Sequence, residues 1–169
     1  MKALGIGRAR NLAPIVSLQA YYSLVGRDAE RELVPMLASE RVGLMVWSPL
    51  AGGYLTGKYS GGDAAGGRLE ELDFPPIDRV RGEPLIDVLR TVAQRHEATP
   101  GQVAIAWLLH QPVVTTVLLG AKRVEQLTDN VRATQLRLDD DELGQLDAAS
   151  RLPAEYPGWL LAQSDGRRA

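Results

Sequence analysis

A chain of 169 residues with 45% hydrophobic and 24% charged content is long enough for one domain with a sizeable core, and ordinary for a globular protein. A net charge of −2 without any basic block argues against nucleic acid as the main partner. The absence of cysteine excludes disulfides, thiolate metal sites and a cysteine nucleophile. No apolar run approaches the roughly 20 residues of a membrane helix. The N-terminal residues lack a signal-peptide core, so no membrane partner and a cytoplasmic location are expected.

In chain order, the mostly apolar residues 15–21 follow Pro14 and predict a buried strand. Asp28 is expected to cap a helix with Glu30, Arg31 and Glu32 in its first turns and Leu33, Val34, Met36 and Leu37 on its apolar side. Pro35 kinks that helix or marks the start of its regular part. Residues 42–47 predict a second strand, stopped by Pro49. Residues 60–83, rich in glycine and proline, predict a long irregular loop of the kind that serves as a lid or lacks fixed structure. Pro84 suits the first position of the next helix, which buries Leu85, Val88, Leu89 and Val92.

Thr99-Pro-Gly-Gln102 reads as a capping box with proline at the first helical position, starting a helix that ends near His110. Residues 113–119 predict a third strand and residues 124–133 a helix directly after it. Asp139-Asp-Asp-Glu142 starts a last helix reaching about Ser150, which leaves residues 151–169 as an irregular tail on a domain of residues 1–150. Alternating strands and helices mean a parallel α/β fold. So few strands can neither close a barrel nor cover both edges, so the chain is expected to be incomplete as an independent fold and to recruit a second copy or a partner chain.

The chemistry concentrates where strands end. Trp47 at the C-terminal end of its strand suits either stacking on a planar ligand such as nicotinamide or a place in the core. Ser48 and the backbone near Gly52 and Gly53 can approach a pyrophosphate, because glycine permits close contact. Lys58 and Arg68 flank the long loop, as phosphate clamps or as solvated surface cations. Lys122 and Arg123 sit at a helix N-terminus, where cations oppose the helix dipole and make sense if an anion binds. Gln126, Asp129 and Asn130 share one helical stripe, to read an adenine or to form a polar surface. Gln19 interrupts an apolar strand, where its amide needs a buried network or a ligand carboxamide. His96 and His110 read as structural residues near helix ends, and no metal-ligand spacing occurs.

Gln19-Ala-Tyr-Tyr22-Ser, Trp47-Ser-Pro-Leu-Ala-Gly-Gly, Lys58, Arg68 and Gly120-Ala-Lys-Arg-Val-Glu-Gln-Leu-Thr-Asp-Asn130 together resemble the last three strands of the aldo-keto reductases. The likeness is closest to bacterial members that also resemble potassium-channel beta subunits, and it extends to about Ser150. It implies the C-terminal half of a TIM (β/α)8 barrel that binds NADP(H) at the C-terminal ends of its strands. By the same resemblance Gln19 bonds the carboxamide and Trp47 stacks on the nicotinamide. Ser48, Leu50, Gly52 and Lys58 line the pyrophosphate, and Arg68 belongs to the loop folding over it. Gly120 opens the segment in which Lys122, Gln126, Asp129 and Asn130 hold the 2′-phosphate and adenine. Lys122 stands where relatives often carry serine, and Gly52 replaces a larger residue of some relatives.

The family's catalytic Asp, Tyr, Lys and His come from its first four strands, so none of them has a counterpart here and Met1 is expected to follow a missing half. The resemblance therefore implies an NADP(H)-dependent reductase of carbonyl compounds, inactive as this chain alone until an N-terminal half completes it. A non-catalytic nucleotide-binding or assembly module, or an inactive fragment, is the alternative.

Overall fold

The computed structural model describes residues 1–60, 69, 72 and 74–160. Helix α1 (Lys2–Ala9) leads to strand β1 (Ser17–Tyr21), helix α2 (Leu33–Glu40) and strand β2 (Gly43–Trp47). Helices α3 (Arg79–Arg95) and α4 (Pro100–Leu109), strand β3 (Val114–Val117), and helices α5 (Val124–Arg132) and α6 (Asp140–Ser150) complete the order. The strands form one parallel sheet, β1-β2-β3, so all of their C-terminal ends lie at one end of it. These are (β/α) units of the TIM-barrel kind, as expected.

Register divides the sheet into two unlike faces. Leu18 and Ala20 pair with Leu44 and Val46. Leu44 and Val46 are fully buried in the main apolar cluster, with Leu18, Ala20, Val114 and Val117 packed against it. Residues alternate across a strand, so Ser17, Gln19 and Tyr21 share the opposite face with Gly43, Met45 and Trp47. That face lies outside the cluster: Gln19 is exposed, and Met45 and Trp47 are half-buried.

Helix α4 is the centre of the packed side. Gly101 to Leu108 are all buried, the pattern of a helix covered on every side. It touches α3, α5, β3 and the turn over Ala51–Thr56. The expected capping box is present: Thr99 Oγ1 accepts from Gln102 N (3.3 Å) while Gln102 Oε1 accepts from Thr99 N (3.1 Å). Asp139 and Glu142 cap α6 in the same reciprocal way.

A partly buried polar cluster ties the turn after β1 to α6. Arg27 Nε donates to Glu30 (2.7 Å), and its Nη1 donates to Asp147 (2.9 Å) and Ser150 (2.6 Å). The guanidinium lies 5.0 Å from the Trp107 ring centroid. Trp107 Nε1 donates to Asp147 (3.2 Å), and the Tyr22 hydroxyl donates to Glu30 (2.6 Å). Each of these partly buried charges has an opposite partner, which is what makes its partial burial tolerable.

Several expected boundaries move. Helix α3 starts at Arg79, with the Asp78 carboxylate accepting from Arg81 N (3.3 Å), so Pro84 lies inside the helix. The earlier start packs Gly82 against Tyr54, where a Cβ would come within 2.7 Å of the hydroxyl oxygen. Pro84 there removes one i−4 bond, the one its own position would make to Val80. Val88 is only half-buried, whereas Ile86 is buried with Leu85, Leu89 and Val92. Asp28 does not cap α2: it starts a 3-10 turn, Asp28–Glu30, and pairs with Arg31 (3.1 Å) while Glu30 is held by Arg27 and Tyr22. Of the apolar side expected for α2, Leu37 is buried.

Strand β1 begins at Ser17, which leaves Ile15 and Val16 exposed, and β3 ends at Val117. The tail is irregular from residue 151 to 157 and drapes over the surface, with Arg81 donating to Arg151 O (2.7 Å) and Arg31 paired with Glu155. Among the described residues no helix is long and apolar enough to cross a membrane.

Candidate functional site

The turn after β2 is shaped by left-handed residues, Ser48 (φ 51) and then the run Ala51 (φ 48), Gly52 (φ 65) and Gly53 (φ 93). Glycine adopts such angles freely, whereas Ser48 and Ala51 each carry about 1 kcal/mol or more of strain. Ala51 N donates to Ser48 O and Gly53 N to Leu50 O, each at 2.9 Å, and Thr56 Oγ1 donates to Gly53 O (2.8 Å). Lys58 folds back over this turn: a Cβ on Gly53 would stand 3.2 Å from its Nζ. The ammonium also lies 4.8 Å from the Tyr59 ring centroid. Ser48, Leu50, Gly52 and Lys58 therefore come together at the C-terminal end of β2. Arg68 lies outside the described residues.

Beside this turn stands an aromatic group on the open face of the sheet. Trp47 approaches Tyr21 at 5.1 Å between centroids, tilted by 34°, and Phe74 at 5.6 Å, nearly parallel at 10°. Tyr21 is fixed: its hydroxyl accepts from Ser23 Oγ (3.0 Å), and its ring fills the space a Cβ on Gly26 would need. Burial, opposed by the Ser23 bond, pushes the Tyr21 hydroxyl above its ordinary value. Gln19 lies across from Met45, one pair from Trp47 on the same face. Its amide is exposed, so the buried network that a mid-strand glutamine could require is not formed.

The third group sits beyond β3, at the same end of the sheet. Gly120 faces open space, and Lys122 and Arg123 are exposed. Among the described residues neither cation forms an ion pair. Arg123 occupies the N-cap position of α5 without a side-chain cap. Gln126 Oε1 accepts from Lys122 N (3.0 Å), an internal cap for the helix start. Asp129 accepts from Gln102 Nε2 (2.8 Å) and Thr99 Oγ1 (3.3 Å), anchoring α5 to the start of α4. Its carboxylate retains lone pairs for a further donor. Asn130 is half-buried beside it.

Sequence reasoning missed Phe74 and the residues that hold its segment. The Tyr59 hydroxyl accepts from Leu69 N (3.2 Å) and donates to Gly52 O (3.4 Å), while buried Leu69 covers Gly52. The available signal was composition, since Phe74 is the single phenylalanine of the chain and precedes Pro75-Pro76.

Residues 2–151 match the model of the aldo/keto reductase family. The chain belongs to that family. It is 33% identical over 147 residues to the uncharacterized oxidoreductase YrpG of Bacillus subtilis, covering 87% of this chain and 44% of that protein. It is 36% identical over 146 residues to a putative voltage-gated potassium channel subunit beta of Schizosaccharomyces pombe, covering 81% of this chain and 42% of that one. Among solved structures, the thermostable aldo-keto reductase Tm1743, in complex with the inhibitor epalrestat, superposes with a TM-score of 0.65 at 28% identity, over 88% of this chain and 44% of its own. The chain thus spans less than half the length of these relatives.

Aldo-keto reductases typically use a nicotinamide cofactor, and the residues present fit one. An indole at a strand end offers a stacking surface, a turn that approaches closely only as Gly52-Gly53 lies under an ammonium, and two cations stand at a helix start.

Proposed function

We propose that this chain holds NADP(H) for an oxidoreductase acting on small carbonyl compounds. The observation that carries the reading is the gathering, at one end of one parallel sheet, of Trp47, the Gly52–Lys58 turn and the Lys122–Arg123 pair. In this arrangement Gln19 and Trp47 orient the nicotinamide. Ser48, Leu50, Gly52 and Lys58 line the pyrophosphate, with Arg68 closing over it. Gly120 opens the segment in which Lys122 takes the 2′-phosphate, and Gln126, Asp129 and Asn130 take the adenine. The reduced cofactor supplies a hydride to a carbonyl carbon.

Protonating the resulting oxyanion needs a tuned acid. Within this chain Tyr21 is pushed upward by burial, and Tyr22 is pushed upward by burial and by its bond to Glu30. His96 Nε2 is bonded to Glu142 (2.8 Å), and His110 Nδ1 to Ala106 O (2.8 Å). None of these four groups is tuned for that task, so the acid is assigned to a different, partner chain that pairs with the edges of β1 and β3 in the cytoplasm. The same observation favours the second reading, a nucleotide-binding or assembly module without turnover.

Titration with NADPH and NADH tests the cofactor reading. NADPH is expected to bind more tightly, and Lys122→Glu to erode the preference by about 1–3 kcal/mol, the scale of a charge-assisted hydrogen bond. Equal affinities in the unaltered chain would remove the 2′-phosphate assignment.

A further inference from the structure

We propose that Phe74 and the nicotinamide ring compete for the same face of Trp47, so that this side chain tunes affinity for the nicotinamide half of the cofactor alone. The inference rests on the cofactor reading above and adds a specificity-determining residue to it.

Of the two rings against Trp47, only Phe74 lies parallel to it, at 5.6 Å and 10°. That is the offset-stacked geometry a flat six-membered aromatic ligand would also adopt on an indole. The other neighbour cannot yield easily. Tyr21 is tilted by 34°, bonded to Ser23 and pressed into the space above Gly26. Phe74 has more freedom to yield, because the residue is 45% exposed.

The backbone beneath it is well placed. The Phe74 carbonyl oxygen lies 3.4 Å from the Cβ position of Gly52, and Pro75 is buried. Rotating the Phe74 side chain would therefore free the indole without dismantling the Gly52 turn. An adenosine moiety held near Lys122 would not meet this ring, since that residue follows β3 whereas Phe74 contacts the end of β2. Competition should consequently divide the cofactor in two.

Calorimetric titration of the 169-residue chain with NADP+, and with 2′-phospho-ADP-ribose that lacks the nicotinamide, tests this. Phe74→Ala should tighten NADP+ by roughly 2- to 10-fold, the factor of one aromatic pair, and leave the nicotinamide-free ligand unchanged. Phe74→Trp, with a larger stacking surface, should weaken NADP+ while again sparing the fragment. Phe74→Leu, checked for folding by its thermal transition, should act in the same direction as Phe74→Ala and guards against a folding artefact. Unchanged or weakened NADP+ binding in Phe74→Ala, or equal changes for both ligands, would overturn the competition while leaving the cofactor reading in place. Binding of neither ligand to any of these proteins would overturn the cofactor reading and the competition with it.

Discussion

Trp107 and Trp47 place the same side chain in two different settings of one small sheet. Trp107, on the packed side, is fully buried, donates its indole N–H to Asp147 and has Arg27 over its ring and Tyr22 beside it. Trp47, on the open face, is half-buried and lies against the rings of Tyr21 and Phe74. One indole is fastened by a hydrogen bond, a cation and close packing. The other keeps a flat apolar surface that the exposed Phe74 side chain covers. Stability is built on the first side, and the surfaces suited to a ligand remain on the second.

The sharpest way to break this contrast is to remove each indole. Trp107→Ala should cost about 3–5 kcal/mol in urea denaturation, the range for deleting a buried aromatic side chain. It also leaves Asp147 and Arg27 with fewer partners. Trp47→Ala should cost only about 1–2 kcal/mol, for partial burial and two ring contacts. Equal losses would mean that the open face contributes to the core after all.

Alkaline pH probes the packed side more gently. Burial, and then the hydrogen bond to Glu30, hold the Tyr22 hydroxyl well above its ordinary value of 10.0. The folded-state value is the raised one, so this contribution is complete below pH 10 and is lost as pH rises above it. Thermal or urea stability should fall beyond that point, by at most about 1.4 kcal/mol per pH unit for each such tyrosine. Tyr22→Phe should flatten the decline, leaving the slope due to Tyr21 and Tyr54, which burial also raises. An unchanged slope in Tyr22→Phe would place the titrating group elsewhere.

What the sequence disclosed follows from how far apart the interacting residues are. The boxes at Thr99–Gln102 and Asp139–Glu142 are legible because each is a reciprocal hydrogen bond within four residues. Strand β2 was legible as a short apolar run stopped by Pro49, but its buried face was not, because Leu44, Met45, Val46 and Trp47 are all apolar. The start of α3 was not, since it depends on Gly82 meeting Tyr54, a contact across the fold. Ile15 and Val16 were expected inside because they are apolar, but periodicity does not say whether anything covers them. Arg27 and Asp147, separated by 120 positions, carry no local signature.

The site divides in the same way. Its elements at the ends of β2 and β3 were legible as motifs, whereas the use of Asp129 to hold Thr99 and Gln102 was not. The Phe74–Trp47 stack joins a strand end to a proline-rich segment that sequence reasoning treated only as a loop. Lys122 N to Gln126 was within reach, being a local contact at helical spacing.

Hydrogen–deuterium exchange of the full chain with and without NADPH bears most directly on the claim that the open face and the strand ends form the cofactor site. Slower exchange is expected in peptides covering residues 47–58 and 118–126, with those covering residues 100–109 and 140–150 unchanged. Protection confined to the latter pair, or absent from residues 47–58 at saturating NADPH, would contradict it.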